Sequence, residues 1–221
     1  MKKILVVSPH TDDETLGAGG YLLRHKELGD EIYWINITSA KEEYGYSKEV
    51  VKQGMEEFTQ VAKSFNFDGF VDLGMEPAGL DKIDKSVFVR RMAEEIRKIE
   101  PNIVLVPFPN DVHSDHKVVF DVVYSCCKAF RCPSVERIMC MEIISETDYA
   151  VSDNGFVPNI FVDISKYIDK KIQIMKLYKD EIKSTPFPRN EEAIRGMAKY
   201  RAAACNTEYA EAFRIIKEIE K

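Results

Sequence analysis

Apolar residues along the first half of the chain alternate between short runs and helical repeats. Residues 3–8 form an apolar, β-branched run without polar alternation, which is typical of a strand covered on both faces, as in a parallel sheet. Between Thr15 and Leu28 the leucines recur at helical spacing, and Gly29 with Asp30 supplies a stop signal. We therefore predict a strand, a helix and a second strand at residues 31–38.

The same alternation continues as far as residue 144. We predict helices at about residues 48–65, 85–99 and 115–128, and strands at about residues 69–73, 102–106 and 135–144. Strands that alternate with helices in this way predict an α/β fold: a Rossmann-like, doubly wound, mostly parallel sheet with helices on both faces and right-handed crossovers.

The pattern is looser after Ser145. A polar loop precedes a strand-like segment at residues 160–163 and two helical stretches at about residues 165–183 and 190–204. The proline-rich segment at residues 185–188 indicates a local turn between helices rather than a domain boundary. Because no linker, repeat or low-complexity tract interrupts the chain, we predict a single domain over residues 1–221.

Composition narrows the class of protein. The 221 residues are 45% hydrophobic, as in an ordinary globular protein, and a net charge of −6 offers no basic surface for nucleic acid. The apolar run at residues 4–7 is too short for a signal peptide or a membrane span. The five cysteines form no paired metal-binding pattern. We expect a cytoplasmic protein with reduced cysteines and no membrane span.

Charged residues are concentrated directly after the first predicted strand. His10, Asp12, Asp13 and Glu14 bring one imidazole and three carboxylates together. Capping of the next helix would explain one acid but not the whole set. A second cluster at residues 113–116, His-Ser-Asp-His, follows the predicted strand at 102–106.

The predicted fold brings these two clusters together. In the common strand order 3-2-1-4-5, strands one and four are neighbours, and the crevice between their carboxyl ends is where such folds bind ligands. Imidazole and carboxylate ligands with an open position are typical of catalytic zinc, which lowers the pKa of a bound water to about 7. A carboxylate that is not a ligand can take the proton of that water. We therefore predict a metal-dependent hydrolase with Zn²⁺, or another divalent metal, as cofactor.

Both clusters match signatures of one family. Residues 9–14 resemble the P-H-P-D-D-E signature of the LmbE-like (PIG-L) N-deacetylases, with Thr11 in place of the second proline, and residues 113–116 resemble the H-x-D-H motif of that family. The resemblance implies a Rossmann-like fold and a zinc-dependent hydrolase that removes the acetyl group from an N-acetylglucosamine-type sugar or conjugate.

The resemblance also implies roles for single residues. It makes His10, Asp13 and His116 the metal ligands and Asp12 the general base. His113 would stabilise the oxyanion. Asp115 would orient His113 or its neighbour through a hydrogen bond, as carboxylates commonly do for metal-site and catalytic imidazoles.

Segments outside the two clusters extend the resemblance and also depart from it. Glu142 and residues 158–164 and 209–213 resemble later segments of the family. Ala202 and Asn206 stand where the family often has glycine, and the region 52–54 lacks an arginine that is common there. Most of the chain is nevertheless covered by the resemblance.

Two further segments invite functional interpretations. Gly17, Gly19 and Gly20 suggest a dinucleotide fingerprint, but Leu22 replaces its third glycine and no acid ends strand two, so close packing of the first helix is preferred. The loop at residues 40–47 carries tyrosines that could stack on a sugar as a lid, although an ordinary solvated loop is preferred.

Two alternatives to a deacetylase stay open on the sequence alone. One is a metallohydrolase of another class, such as a phosphoesterase, and the other is a non-catalytic sugar-binding or nucleotide-binding module with the same fold. The expected partner is a small N-acetylated amino sugar or conjugate, whose remainder the sequence does not identify. The oligomeric state is also open, a homo-oligomer included.

Overall fold

A computed structural model describes residues 1–220, which build one mixed sheet of seven strands flanked by six α-helices. The strands are β1 (Lys3–Ser8), β2 (Glu31–Thr38), β3 (Gly69–Met75), β4 (Ile103–Val106), β5 (Arg137–Met141), β6 (Ile160–Asp163) and β7 (Ala210–Glu218). The helices are α1 (Asp13–Glu27), α2 (Lys48–Phe65), α3 (Lys85–Ile99), α4 (Ser114–Cys126), α5 (Ile168–Met175) and α6 (Glu191–Ala202).

The strand order is β3-β2-β1-β4-β5-β7-β6, and the first five strands in this order are parallel. The predicted order 3-2-1-4-5 is therefore confirmed. β1 is buried from Ile4 to Ser8 because helices cover both faces of the sheet, which explains its unbroken apolar run. The carboxyl ends of β1 and β4 lie side by side at one edge.

Two apolar layers confirm the doubly wound fold. On one face of the sheet, α1, α2, α5 and α6 pack around a core that includes Leu16, Trp34 and Phe65. On the other face, α3 and α4 pack on Val7 and Val104 through residues such as Phe88. No helix within the described residues is both long and apolar enough to cross a membrane.

Close approach of α1 to the sheet explains its glycines. A methyl group on Gly17 would lie 2.8 Å from Cβ of Met141 in β5, and one on Gly20 would lie 2.5 Å from Cγ2 of Ile164. At distances this short, a side chain at either position would force the neighbouring atoms to shift. The predicted close packing of the first helix is therefore observed at Gly17 and Gly20.

The C-terminal third contains the differences from the predicted elements. β7 was not predicted, and it runs antiparallel between β5 and β6. The helix predicted at 165–183 ends at Met175, and the chain continues in turns that carry Tyr178 beneath the end of β1. Asn206 has a φ of 57°, a left-handed conformation that asparagine tolerates in place of glycine.

A buried ion pair fastens this C-terminal part to α1. Glu211 of β7 accepts hydrogen bonds from the backbone N–H groups of Gly20 (2.8 Å) and Tyr21 (2.7 Å), and Lys171 Nζ of α5 lies 2.7 Å from Glu211 Oε1. Lys171 also donates to the carbonyl of Leu16 at 2.8 Å. Each buried charge is therefore offset by a partner and by further hydrogen bonds, as burial of charge requires.

Candidate active site

The turn from β1 into α1 separates two adjacent aspartates. Asp12 has a φ of 115°, a conformation that is costly for any residue except glycine. Asp13 Oδ2 accepts a hydrogen bond from the backbone N–H of His10 at 2.9 Å, whereas Asp12 Oδ2 accepts one from Arg189 Nη1 at 2.8 Å. The two carboxylates, although neighbours in sequence, thus have different surroundings.

Asp13 lies between two imidazoles that follow the neighbouring strands β1 and β4 in the chain. Its Oδ2 atom is 3.5 Å from His10 Nδ1 and 3.4 Å from Nε2 of His116, which belongs to α4. The candidate ligand atoms of His10, Asp13 and His116 all lie within 4.8 Å of one another. The predicted meeting of the two clusters at one edge of the sheet is therefore observed.

The surroundings of His116 suit a metal ligand. Its Nδ1 is held by Asp111 Oδ2 at 2.8 Å, while its buried Nε2 has no hydrogen-bond partner among the described residues. Metal-binding histidines typically give one nitrogen to the ion and the other to a carboxylate. His10 follows the same pattern, because Nδ1 faces Asp13 and Nε2 lies 3.0 Å from Asp115 Oδ2.

Electrostatics at this cluster favour positive charge. Burial alone would lower the pKa of His10, but hydrogen bonds to Asp115 and Asp13 raise it to about 9. Burial likewise opposes a charged His116, yet Asp13 and Asp111 raise its pKa to about 10. Burial would raise the pKa of Asp13, but the two imidazoles hold it well below its usual range. The cluster therefore attracts cations, and a divalent ion fits the set of donors.

A second group of possible ligands overlaps the first. His10, His113 and Asp115 also have donor atoms within 4.8 Å of one another. The Asp115 carboxylate, however, already accepts hydrogen bonds from the backbone N–H groups of Ala78 (2.8 Å) and Leu80 (3.3 Å) and contacts His10. We therefore favour the group of His10, Asp13 and His116.

Asp115, predicted to orient His113 or its neighbour, lies closer to His10 than to His113. It contacts His10 at 3.0 Å, whereas His113 Nδ1 lies 4.0 Å from its carboxylate. His113 Nδ1 instead accepts the backbone N–H of Asp115 at 3.1 Å. Burial and the nearby His10 lower the pKa of His113, so its neutral ring carries the proton on Nε2. That N–H is available as a donor towards the cavity that His113 lines.

Arg189 is the main site residue that the sequence did not indicate. It follows Pro188 in the segment between α5 and α6, which showed only turn signals. Its Nη1 atom contacts both Asp12 (2.8 Å) and Glu181 (3.0 Å). Burial and the neighbouring Asp13 raise the pKa of Asp12, while Arg189 opposes this rise. Arg189 therefore favours an ionised Asp12.

Glu14 supports the turn from beneath. Its carboxylate is fully buried and accepts hydrogen bonds from the Tyr178 hydroxyl (2.7 Å), the Thr15 hydroxyl (2.5 Å) and the backbone N–H of Asp12 (3.2 Å). Burial raises its pKa to about 7. Glu14 thus holds the strained backbone of Asp12 and lies away from the cavity.

The cluster opens into a cavity of about 320 Å³, whose walls include Asp12, His113 and Arg189. Tyr46 brings the loop at residues 40–47 into the same wall. Tyr44 of that loop donates a hydrogen bond to the carbonyl of Gly74 at 3.1 Å, so the loop is tied to the end of β3. A small molecule can therefore reach Asp12 and His113 from one side.

Comparison with known proteins places this chain among deacetylases and solved structures of similar fold. The diacetylchitobiose deacetylase of Thermococcus kodakarensis is 25% identical over 239 residues, which cover 99% of this chain and 85% of that protein. The solved structure of the conserved protein TT1542 from Thermus thermophilus is 25% identical, with a TM-score of 0.80 and coverage of 100% and 97%.

The same fold also occurs with a different named reaction. GalB, the 4-carboxy-2-hydroxymuconate hydratase from Pseudomonas putida KT2440, has a TM-score of 0.74 at 18% identity, with coverage of 100% and 98%. This likeness shows a shared fold alone. The family model PIG-L, described as GlcNAc-PI de-N-acetylase, matches residues 5–127, which include both clusters and more than half of the chain. The chain therefore belongs to the PIG-L, or LmbE-like, family.

Proposed function

We propose that this protein is a metal-dependent amide hydrolase that removes the acetyl group from an N-acetylglucosamine-type sugar or conjugate. The observation that carries the proposal is the cluster of His10, Asp13 and His116 beyond the carboxyl end of β1. Asp12 and His113 line the cavity into which this cluster opens. The named activity of the Thermococcus kodakarensis relative, a diacetylchitobiose deacetylase, supports the same class of reaction.

His10, Asp13 and His116 would hold the ion, with zinc as the metal that this donor set favours and another divalent metal as the alternative. When bound, the ion supplies a Lewis acid that polarises the acetyl carbonyl and lowers the pKa of water. Asp115 fixes the ring of His10 and Asp111 fixes that of His116 through hydrogen bonds of 3.0 and 2.8 Å.

Asp12 is assigned the role of general base. Its carboxylate takes a proton from water as the water oxygen attacks the acetyl carbon, and the C–N bond then breaks. The protonated Asp12 returns that proton to the nitrogen as it leaves, so the products are an amine and acetic acid, which ionises to acetate in solution. Arg189 opposes the rise in the pKa of Asp12, so it favours the ionised carboxylate, and its hydrogen bond fixes the orientation of that carboxylate for this step.

His113 is assigned the stabilisation of the oxyanion. Because Nδ1 accepts a backbone hydrogen bond, the N–H group at Nε2 can donate a hydrogen bond to the acetyl oxygen as negative charge develops there. Removal of one such donor typically costs about 10²-fold to 10³-fold in kcat. The ring of His113 is already neutral before the reaction begins, so no proton has to be released to water before His113 takes this role.

The alternative functions receive less support from the site. A phosphoesterase must stabilise a phosphate anion, yet the charge of Arg189 is already shared by Asp12 and Glu181. A non-catalytic module would have no use for a general base held at a strained φ beside the cluster. The cytoplasmic location, the single domain and a homo-oligomeric state stay predictions.

The proposal is tested by measuring acetate release and metal content together. Purified protein loaded with Zn²⁺ is expected to hold about one ion per chain and to release acetate from N,N′-diacetylchitobiose or N-acetylglucosamine. Protein treated with a chelator serves as the control and should recover activity when metal is restored. Phosphate release from phosphoesters without acetate release from any N-acetyl sugar would contradict the proposal.

A further inference from the structure

A second cavity adjoins the one that contains the metal cluster. Its volume is about 460 Å³, within the range of small-molecule sites. It lies against α2, on the side of the shared wall away from His10 and Asp13. That wall is formed by Thr11, Ser39, Ala40, Tyr46 and Glu181, which line both cavities. A substrate with its acetamide beside Asp12 would therefore extend into the second cavity.

The side of this cavity formed by α2 is apolar and open. Val51, Met55 and Phe58 line it, and Gly54 leaves a gap among them. A Cβ atom added at Gly54 would meet no atom of the described residues within 4 Å beyond its own helical turn. The space is therefore available for the apolar face of a sugar ring or a similar group.

The charged groups that line the cavity are all acidic. Glu57, Asp72, Asp180 and Glu181 line it, and among residues 1–220 no lysine, arginine or histidine does. Glu181 is paired with Arg189, whereas the other three carboxylates have no ion pair within the described chain. The charge of the lining therefore disfavours phosphate or carboxylate groups on a ligand.

Two of these carboxylates converge on one amide. Gln53 Nε2 donates to Glu57 Oε1 and to Asp180 Oδ2, at 2.9 Å in each case. Asp180 belongs to the turns after α5, so the contact joins that segment to α2. Like charges held near one another favour a cation or neutral hydrogen-bond donors between them.

We infer that the second cavity binds the part of the substrate beyond the N-acetylglucosamine unit, and that this part is uncharged or carries an amine. A second sugar ring, neutral or aminated, fits this chemistry. Conjugates that carry a carboxylate or a phosphate there are discriminated against. The inference rests on the proposed function and specifies its substrate class.

The test compares three disaccharides that differ only in the charge of the second ring. N-acetylglucosamine is linked to glucose, to glucosamine or to glucuronic acid, and kcat/KM for acetate release is measured for each at low ionic strength. The glucuronic acid compound is expected to be at least about tenfold poorer than the other two, because like charges at an interface are unfavourable. Added salt should narrow this difference by screening.

Variants link the preference to the cavity. Glu57→Gln, Asp180→Asn and above all Gly54→Arg should raise the relative kcat/KM for the glucuronic acid compound severalfold. Glu56→Gln is the matched control, since Glu56 lies outside the cavity on the same helix and faces Lys52 at 3.8 Å. Equal use of all three compounds, or equal effects of Glu56→Gln and Glu57→Gln, would overturn the inference.

The two hypotheses can fail separately. Turnover of N-acetylglucosamine with no preference by charge would refute the inference and retain the proposed function. If none of the compounds releases acetate, the proposed function fails, and dissociation constants measured by calorimetry for the same three disaccharides decide the inference. In that measurement, binding of the glucuronic acid compound as tight as that of the glucose compound overturns it, and weaker binding by about tenfold supports it.

Discussion

Arg189 donates a hydrogen bond of 2.8 Å to the carboxylate of Asp12 although 177 positions separate the two residues. The same guanidinium nitrogen lies 3.0 Å from Glu181. Arg189 lowers the pKa of Asp12, whereas Glu181 raises it, and both act against a background of burial and of the nearby Asp13 charge, which raise it further. The protonation of the proposed base therefore depends on two residues outside both sequence motifs.

Replacement of either partner should shift the pH profile of activity in opposite directions. Arg189→Met removes the positive charge, so the pKa of Asp12 should rise and the acidic limb of kcat/KM should move to higher pH. Glu181→Gln removes a negative charge and should move the limb to lower pH. Arg189→Lys keeps the charge and serves as the control. Profiles that shift in the same direction for both variants would exclude this coupling.

Substitutions of Asp12 and His116 should have different effects, because Asp12 is assigned to catalysis and His116 to metal binding. Asp12→Asn is expected to retain the metal and to lower kcat by about 10²-fold to 10⁴-fold, since it removes a proton acceptor. His116→Ala removes a buried nitrogen, Nε2, that lies 3.4 Å from Asp13 and has no hydrogen-bond partner in the described chain, and this variant should lose the metal. Metal analysis of both variants, with acetate release as the second measurement, checks this. Turnover by a metal-free Asp12 variant would contradict it.

Glu14 should make stability depend on pH. Burial raises the pKa of Glu14 from 4.5 to about 7, so the folded state binds its proton more tightly than the unfolded state does. Stability relative to Glu14→Gln should then be greatest below pH 4.5, fall as the pH rises towards 7, and stay level above it.

Between pH 4.5 and pH 7, the free energy of unfolding relative to that of Glu14→Gln should fall by up to about 3 kcal/mol. The variant places an amide N–H₂ group where the backbone N–H of Asp12 or the two hydroxyls now donate, which adds a cost that does not vary with pH. The free energy of unfolding of the metal-free proteins in urea, measured at several pH values, gives the slope. A constant difference between Glu14 and its glutamine variant would contradict the assignment.

The same substitution should have opposite effects in two helices. Gly54→Ala in α2 should raise the free energy of unfolding by about 0.5 to 1 kcal/mol, because glycine is unfavourable inside a helix and a methyl group there meets open space. Gly20→Ala in α1 should lower it by about 1 to 3 kcal/mol, because the methyl group would lie 2.5 Å from Ile164. Urea unfolding measures both, and stabilisation by Gly20→Ala would contradict the observed packing.

The parallel core could be predicted because each of its strands and helices is indicated by a pattern of residues within that element. The apolar run of β1 and the repeats of α1 each identify an element, and the fold then places the ends of β1 and β4 together. This was enough to bring residues 10–13 near residues 113–116. The contact of Asp111 with His116 was shown only by the structure.

The remaining features depend on contacts that no local pattern encodes. Arg189 lies in a proline-rich turn, and its partner is Asp12 at the opposite end of the chain. The carboxylate of Asp115 lies 3.0 Å from the ring of His10 and 4.0 Å from the ring of His113. No sequence pattern distinguishes two partners whose distances differ by so little. β7 was missed because its neighbours, β5 and β6, are distant in sequence and only their pairing makes it a strand.

The place of β7 between β5 and β6 also has a consequence for biosynthesis. Residues that form the parallel core and all three proposed ligands leave the ribosome before residue 142, whereas β6 has no sheet neighbour other than β7 within the described residues. The buried contact of Lys171 with Glu211 likewise waits for β7. The nascent protein can therefore assemble its ligand cluster early, and the final strand described, β7, then completes the sheet and the buried ion pair that fastens α5 to α1.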